Sequence, residues 1–136
     1  MSFRLREHTA DVAVEATGAD LDAVFGAVAD GLAAAMCEDV PGIGERFSLT
    51  VAAESREALL FDYLDELIYE RDVRSVLPVD NEATVTERDG EWTCEASARG
   101  VPLTAITARE VKAVTYSEMD LSKTPGGWHT YVVFDV

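Results

Sequence analysis

Apolar and polar positions run in a strand-like pattern from Leu5 to Ala16, and the run breaks at Gly18. The period then lengthens. Leu21, Val24, Phe25, Val28, Leu32 and Met36 recur at helical spacing, with Asp20 placed to cap the helix. Their companions on the same face are alanines, so this helix is expected to pack closely on a sheet. Pro41-Gly42-Ile43-Gly44 ends the unit as a loop. Phe47, Leu49 and Val51 alternate with polar residues and predict a half-buried strand. Ser55 starts a second helix, whose apolar stripe is Leu59, Leu60, Tyr63, Leu64, Leu67 and Ile68. Asp62, Asp65, Glu66 and Glu70 fall largely off that stripe and read as a solvated face.

The second half is richer in strands. Val79 to Gly100 predicts a hairpin turning at Asp89-Gly90, with Ala83 and Val85 leading in and Trp92, Cys94, Ala96 and Ala98 leading out. Val111 to Tyr116 predicts a further strand. Thr124-Pro125-Gly126-Gly127 is a turn, and Trp128 to Val136 the closing strand. Strand, helix, strand, helix and then several strands define an α+β domain over residues 1–136. The expectation is two helices packed on a mixed or mainly antiparallel sheet, with the hairpin as an added flap. No repeat or linker divides the chain, and 136 residues suit one core.

Composition narrows the setting. The hydrophobic fraction of 48% excludes disorder. No apolar run approaches the ~18 residues of a membrane span. The start, Met1 to Arg6, is basic but lacks an apolar signal region, so a cytoplasmic location is expected. Cys37 and Cys94 have no metal-ligand spacing and read as buried free thiols. Charge is the unusual feature: 26 acidic residues stand against 11 basic ones, a net −15, and only Lys112 and Lys123 are lysines. Dispersed acidity with scarce lysine fits a salt-rich cytosol of a salt-loving archaeon, where charges are screened within about 3 Å at 1 M salt. It argues against tight, direct nucleic-acid binding, which draws on lysine and arginine at phosphates. The sequence offers no basic stripe and no aromatic stacking platform flanked by arginines.

Two carboxylates draw notice. Asp11 closes the run Glu7-His8-Thr9-Ala10-Asp11 ahead of an alternating stretch, and Asp135 sits at the end of the closing strand. On spacing alone, Asp11 reads first as a turn or cap residue and Asp135 as a solvated chain end. If the two strands lie side by side, the carboxylates converge, and with a main-chain carbonyl they make an oxygen-rich site suited to a hard divalent cation. Calcium comes first for such a site, with magnesium or manganese as alternatives to it; zinc and copper prefer other donors. His8 can orient Asp11, touch a partner, or be an ordinary satisfied histidine. Lys112, the one lysine inside a predicted element, is either a paired strand residue or a cation near the metal. Tyr116 and Trp128 read as core anchors. His129 lies near the end of the chain with no spacing that supports a nucleophile-base pair. Gly-rich phosphate loops, Gly-x-Ser-x-Gly elbows, zinc motifs and EF-hand loops are all missing from the sequence.

Four segments together carry a family resemblance: His8-Thr9-Ala10-Asp11-Val12; Leu59 through Tyr69 (LLFDYLDELIY); Val111-Lys112-Ala113-Val114-Thr115-Tyr116; and Gly127-Trp128 through Asp135-Val136. In this order and at this length the chain resembles the archease family. The resemblance implies an archease-like fold and an accessory role. The chain would not be an enzyme itself but would activate an RtcB-type RNA ligase in tRNA splicing. Such a ligase joins a 2′,3′-cyclic phosphate or 3′-phosphate end to a 5′-hydroxyl end using GTP and manganese. Its activator speeds guanylylation of the ligase's own histidine, supports multiple turnover and can broaden nucleotide use. Partners would be the ligase directly and tRNA halves only through it. The resemblance also implies that Asp11 and Asp135 bind metal, with Val136 adding its main-chain carbonyl and, as the last residue here, a free carboxylate. Lys112 belongs to the family motif, and a role in activity follows. Ser117 stands where the motif commonly continues with a histidine, so no role for that histidine carries over.

Two other functions fit the residues. One is a metal-dependent hydrolase of a small phosphorylated substrate, with His8 or Lys112 assisting the ion. The other is a calcium-stabilised binding module for a different partner.

Overall fold

The fold is that of a computed structural model, which describes residues 2–8 and 11–136, with only the backbone described for residues 6–8. Among the described residues there are two helices and seven strands in two wholly antiparallel sheets. The four-stranded sheet runs β1 (Ser2–His8), β2 (Asp11–Gly18), β7 (Gly127–Asp135), β6 (Ala113–Thr124). The three-stranded sheet runs β3 (Glu45–Ala53), β5 (Glu91–Pro102), β4 (Val76–Arg88). The class is α+β, as expected, but the single sheet of the sequence reading resolves into two. The hairpin β4–β5 is no flap: it forms two of the three strands in the second sheet.

Helix α1 (Leu21–Met36) starts where its cap predicts, the Ala23 N–H donating to Asp20 Oδ1 at 2.8 Å. Eleven of its sixteen residues are buried. A helix apolar nearly all round must be enclosed, and α1 touches β1, β2 and β7 of one sheet and β4 of the other. Small residues permit this closeness. A Cβ on Gly31 would run into Val14 Cγ1 and come within 3.2 Å of the Phe3 ring. Two acids on the helix also satisfy backbone donors of β4. Asp22 accepts from the Val85 N–H at 2.7 Å, and Asp30 from the Asn81 N–H at 2.9 Å. Asn81 sits in a bulge where β4 loses register with β5, so the helix caps a place the ladder cannot pair.

Helix α2 (Arg56–Arg74) is capped by Ser55 through the Ala58 N–H at 3.1 Å. It buries Leu59, Leu60, Tyr63, Leu64, Leu67 and Ile68, the stripe read from the sequence, and adds Arg71. It packs on all three strands of the smaller sheet and on β6. Phe25 of α1 stacks on Tyr63 of α2 at 5.9 Å, joining the helices inside one continuous core.

The predicted β4–β5 turn is observed, with Asp89 and Gly90 both at positive φ (53° and 83°), the pair of angles a two-residue hairpin requires. Strand β6 departs most from expectation. It begins at Ala113 and runs to Thr124, interrupted between Thr115 and Asp120 by a bulge in which Glu118 takes a φ of 59°. Lys112 therefore stands just before the strand, and Lys123 is the lysine inside an element. Tyr116, expected in the core, is 57% exposed on that bulge. Trp128 is half-buried against the core. Both cysteines are free; Cys94 is buried and Cys37, at the α1 C-cap, is half-buried. No helix among the described residues is long and apolar enough to cross a membrane.

Candidate functional site

One end of the four-stranded sheet gathers the residues singled out in the sequence. Strands β2 and β7 pair so that Asp11 is directly opposite Asp135. Val12, Val14, Phe134 and Val132 belong to the core, so the two aspartates project from the other face. Directly opposed residues of an antiparallel pair have Cα atoms roughly 4.5–5.5 Å apart, close enough for both carboxylates to reach one ion. Asp11 is half-buried and Asp135 exposed. On one side, the backbone of His8 is in register with Asp11. On the other, Ala113 pairs with Asp135, and the Lys112 N–H donates to the Asp135 main-chain oxygen at 2.8 Å. Val136 follows Asp135 and is half-buried. A row across the sheet end thus holds His8, Asp11, Asp135 and Ala113, with exposed Lys112 at its flank. The His8 side chain, Thr9 and Ala10 lie outside the described residues.

The groups at this sheet end are of the oxygen type that a hard cation takes. Two carboxylates and the Val136 main chain are present there, while the Asp135 carbonyl accepts from the Lys112 N–H. Among the described residues no group of three or more His, Cys, Asp or Glu side chains forms a metal cluster. An ion held here would complete its shell with main-chain oxygen, water or a partner's groups.

The Lys112 bond is set up by packing beneath it. Arg71 of α2 is buried; its Nη1 donates to the Val111 carbonyl at 2.7 Å and lies 3.4 Å from Met36 Sδ, while its Nη2 pairs with Asp72 at 3.0 Å. The Arg109 N–H also donates to the Met36 carbonyl at 2.7 Å. These bonds anchor the segment entering β6 to both helices. Sequence reading missed Arg71 because it sits one turn beyond the apolar stripe and is a charge on the buried side.

Further along the same sheet face is a second polar cluster. His129 bridges Glu15 of β2 (Nε2 to Oε2, 2.9 Å) and Asp120 of β6 (Nδ1 to Oδ2, 3.2 Å). The Glu15 bond raises the imidazole pKa against partial burial, and Asp120 raises it further. Ser122 donates to the same Asp120 oxygen at 2.9 Å, so its hydroxyl is held by a carboxylate rather than by the imidazole. His129 is half-buried.

At the far end of the sheet, Arg56 lies between the two tryptophans, 4.9 Å from the Trp128 ring centre and 5.9 Å from that of Trp92. The three residues are far apart in the chain, and the fold brings them together to tie β7, β5 and α2.

The fold and this row of residues define a small α+β protein with a carboxylate pair at a sheet end. The model of the Archease protein family (MTH1598/TM1083) matches residues 3–136, and the chain belongs to that family. It is 35% identical over 144 residues to protein archease of Methanosarcina mazei, covering 98% of this chain and 95% of that one. It is 34% identical to protein archease of Thermococcus gammatolerans, covering 96% and 95%. The solution structure of protein 1598 of Methanobacterium thermoautotrophicum superposes with a TM-score of 0.84 at 28% identity, covering 98% of both chains. The crystal structure of a Thermotoga maritima archease, described as a possible chaperone, matches in fold with a TM-score of 0.61 at 21% identity, covering 96% of this chain and 94% of that one.

Proposed function

We propose that this chain is an accessory protein, not itself an enzyme, that activates an RtcB-type RNA ligase in tRNA splicing by promoting its guanylylation and multiple turnover. The observation that carries the reading is the direct pairing of Asp11 with Asp135 at one sheet end, in a chain of the archease family. Asp11, Asp135 and the Val136 carbonyl would hold a divalent cation, calcium first, whose charge balances the two carboxylates and offers open coordination positions at an exposed sheet end. Lys112, whose backbone is bonded to Asp135, adds a positive charge at the same edge. Such an edge can enter a partner's phosphate-handling site and neutralise charge there. The backbone of His8 is in register with Asp11, which supports a role for this residue in orienting that carboxylate or in meeting the partner. The ligase is the direct partner in the cytoplasm, and tRNA halves are reached only through it.

Ligation of cleaved tRNA by the same organism's ligase, held limiting and scanned across salt, tests the reading. The expected result is many product molecules per ligase with this protein and about one without it. Equal turnover in both arms would overturn the activator reading, and phosphatase or phosphodiesterase activity of the isolated protein would put the hydrolase in its place.

A further inference from the structure

In a chain carrying −15 net charge, few large apolar side chains are expected at the surface, yet six are exposed among the described residues, and three of them belong to α2 and to the strand β6 that it packs on. Tyr69 and Val73 of α2 are 57% and 61% exposed, and Tyr116 of β6 is 57% exposed. Tyr69 and Val73 are four apart and adjacent on the helix surface. Tyr116 is presented differently. The β6 bulge turns it off the strand, and its ring lies flat on Phe61 of α2, with centroids 4.0 Å apart and planes 6° from parallel. Stacking of that kind holds an exposed ring in one orientation, so docking costs it little conformational entropy. Bulges that re-aim a side chain are a recurrent feature of functional surfaces.

Charge on this face is segregated. Asp62, Asp65 and Asp72 are exposed around Tyr69, and Glu66 adjoins them with its carboxyl pushed up to about 7 by burial and by a hydrogen bond with Glu70. All three arginines of α2 are engaged, Arg71 with Asp72 itself. Arg56 lies over the tryptophans, Arg71 is buried, and Arg74 is held by Glu70 at 2.6 Å and over the Phe47 ring at 4.4 Å. What remains is aromatic and aliphatic surface beside the exposed carboxylates of Asp62 and Asp65, with Asp72 tied to Arg71 at 3.0 Å. Nucleic acid is repelled by such a face. A protein surface with an apolar recess ringed by lysine or arginine complements it, the aromatic groups supplying anchors and the acids orienting the approach.

We infer that the exposed face of α2 together with the stacked Tyr116 docks a protein partner that presents basic side chains around an apolar recess. The inference rests on the activator reading above, with the ligase as that partner. It gives the reading a geometry. Tyr116 is three residues along β6 from Ala113, the pairing partner of Asp135, or about 10 Å at ~3.3 Å per residue. Tyr116 is on the helix side of β6 and the aspartates face the other way, so a partner seated on Tyr116 would meet the Asp11–Asp135 pair around this edge strand.

The test measures ligase turnover against the concentration of this protein, for wild type, Tyr116→Ser and the double variant Tyr69→Ser/Val73→Ser. Each altered side chain is more than half exposed, so circular dichroism should match wild type, with a slightly lower melting temperature for Tyr116→Ser, which loses its stack on Phe61. The expected result is a rise of at least tenfold in the concentration giving half-maximal activation, with an unchanged plateau. Wild-type midpoints in both variants would overturn the docking face while leaving the activator reading intact. A lowered plateau at an unchanged midpoint would also overturn it, since the groups would then act after docking. If wild-type protein fails to activate at all, the activator reading falls and this inference with it.

Discussion

Replacing Arg71 by methionine isolates the buried bond that supports the candidate site. Methionine retains most of the aliphatic packing but removes the donor to the Val111 carbonyl at 2.7 Å. Hydrogen bonds involving a charged group contribute about 1.5–3 kcal/mol, and an orphaned buried carbonyl costs a similar amount. The pair with Asp72 adds little, because the Asp72 side chain is 65% exposed. Relief of the guanidinium's own desolvation works in the opposite direction. A net loss of about 2 kcal/mol follows. With an unfolding entropy of about 2.1 cal/mol/K per residue over 136 residues, that is a fall of about 7 °C in Tm. Urea denaturation should show a lower midpoint at unchanged slope. Hydrogen exchange should speed up at the Lys112 amide, whose bond to Asp135 depends on the segment that Arg71 anchors. A Tm within 2 °C of wild type, with Lys112 exchange unchanged, would refute the reasoning.

Gly18→Ala should destabilise by roughly 2 kcal/mol or more in urea titration, because its Cβ would fall 2.5 Å from the Val24 backbone nitrogen, which cannot move without disturbing the start of α1. His129→Gln should change the pH dependence of stability. The folded imidazole titrates above its unfolded value of about 6.5, so its contribution is full below that pH and is lost as pH rises through the folded pKa. Wild type and variant should therefore converge on the alkaline side, and a constant difference from pH 5 to 9 would contradict the Glu15–His129–Asp120 account. Calcium at 100 times its Kd should stabilise the wild type by about 2.7 kcal/mol in thermal melts. Asp11→Asn/Asp135→Asn should lose that shift, and an equal shift in the variant would move the ion elsewhere.

Local chemistry was legible in the sequence, and contacts across the chain mostly were not. Asp20 and Ser55 cap the helices as read, and Asp89-Gly90 turns its hairpin, because each depends on a few adjacent residues. The division into two sheets was hidden, since alternation reveals strands but not their neighbours. The bulge of β6 erased the period that would have extended the strand to Thr124, and it reversed the expectation for Tyr116. Asp11 and Asp135 were singled out from opposite ends of the chain, and the β2–β7 register brings them face to face. Arg71, the His129 clamp and the Arg56–tryptophan stack join residues tens of positions apart, and no periodicity signals them.

The most direct test of the central claim is the rate at which the ligase becomes guanylylated when mixed with wild-type protein or with Asp135→Asn, at saturating concentration and matched salt. The account predicts acceleration by the wild type and none by the variant, with both proteins equally folded. Equal acceleration by the two would contradict it, because the carboxylate pair would then have no part in activating the ligase.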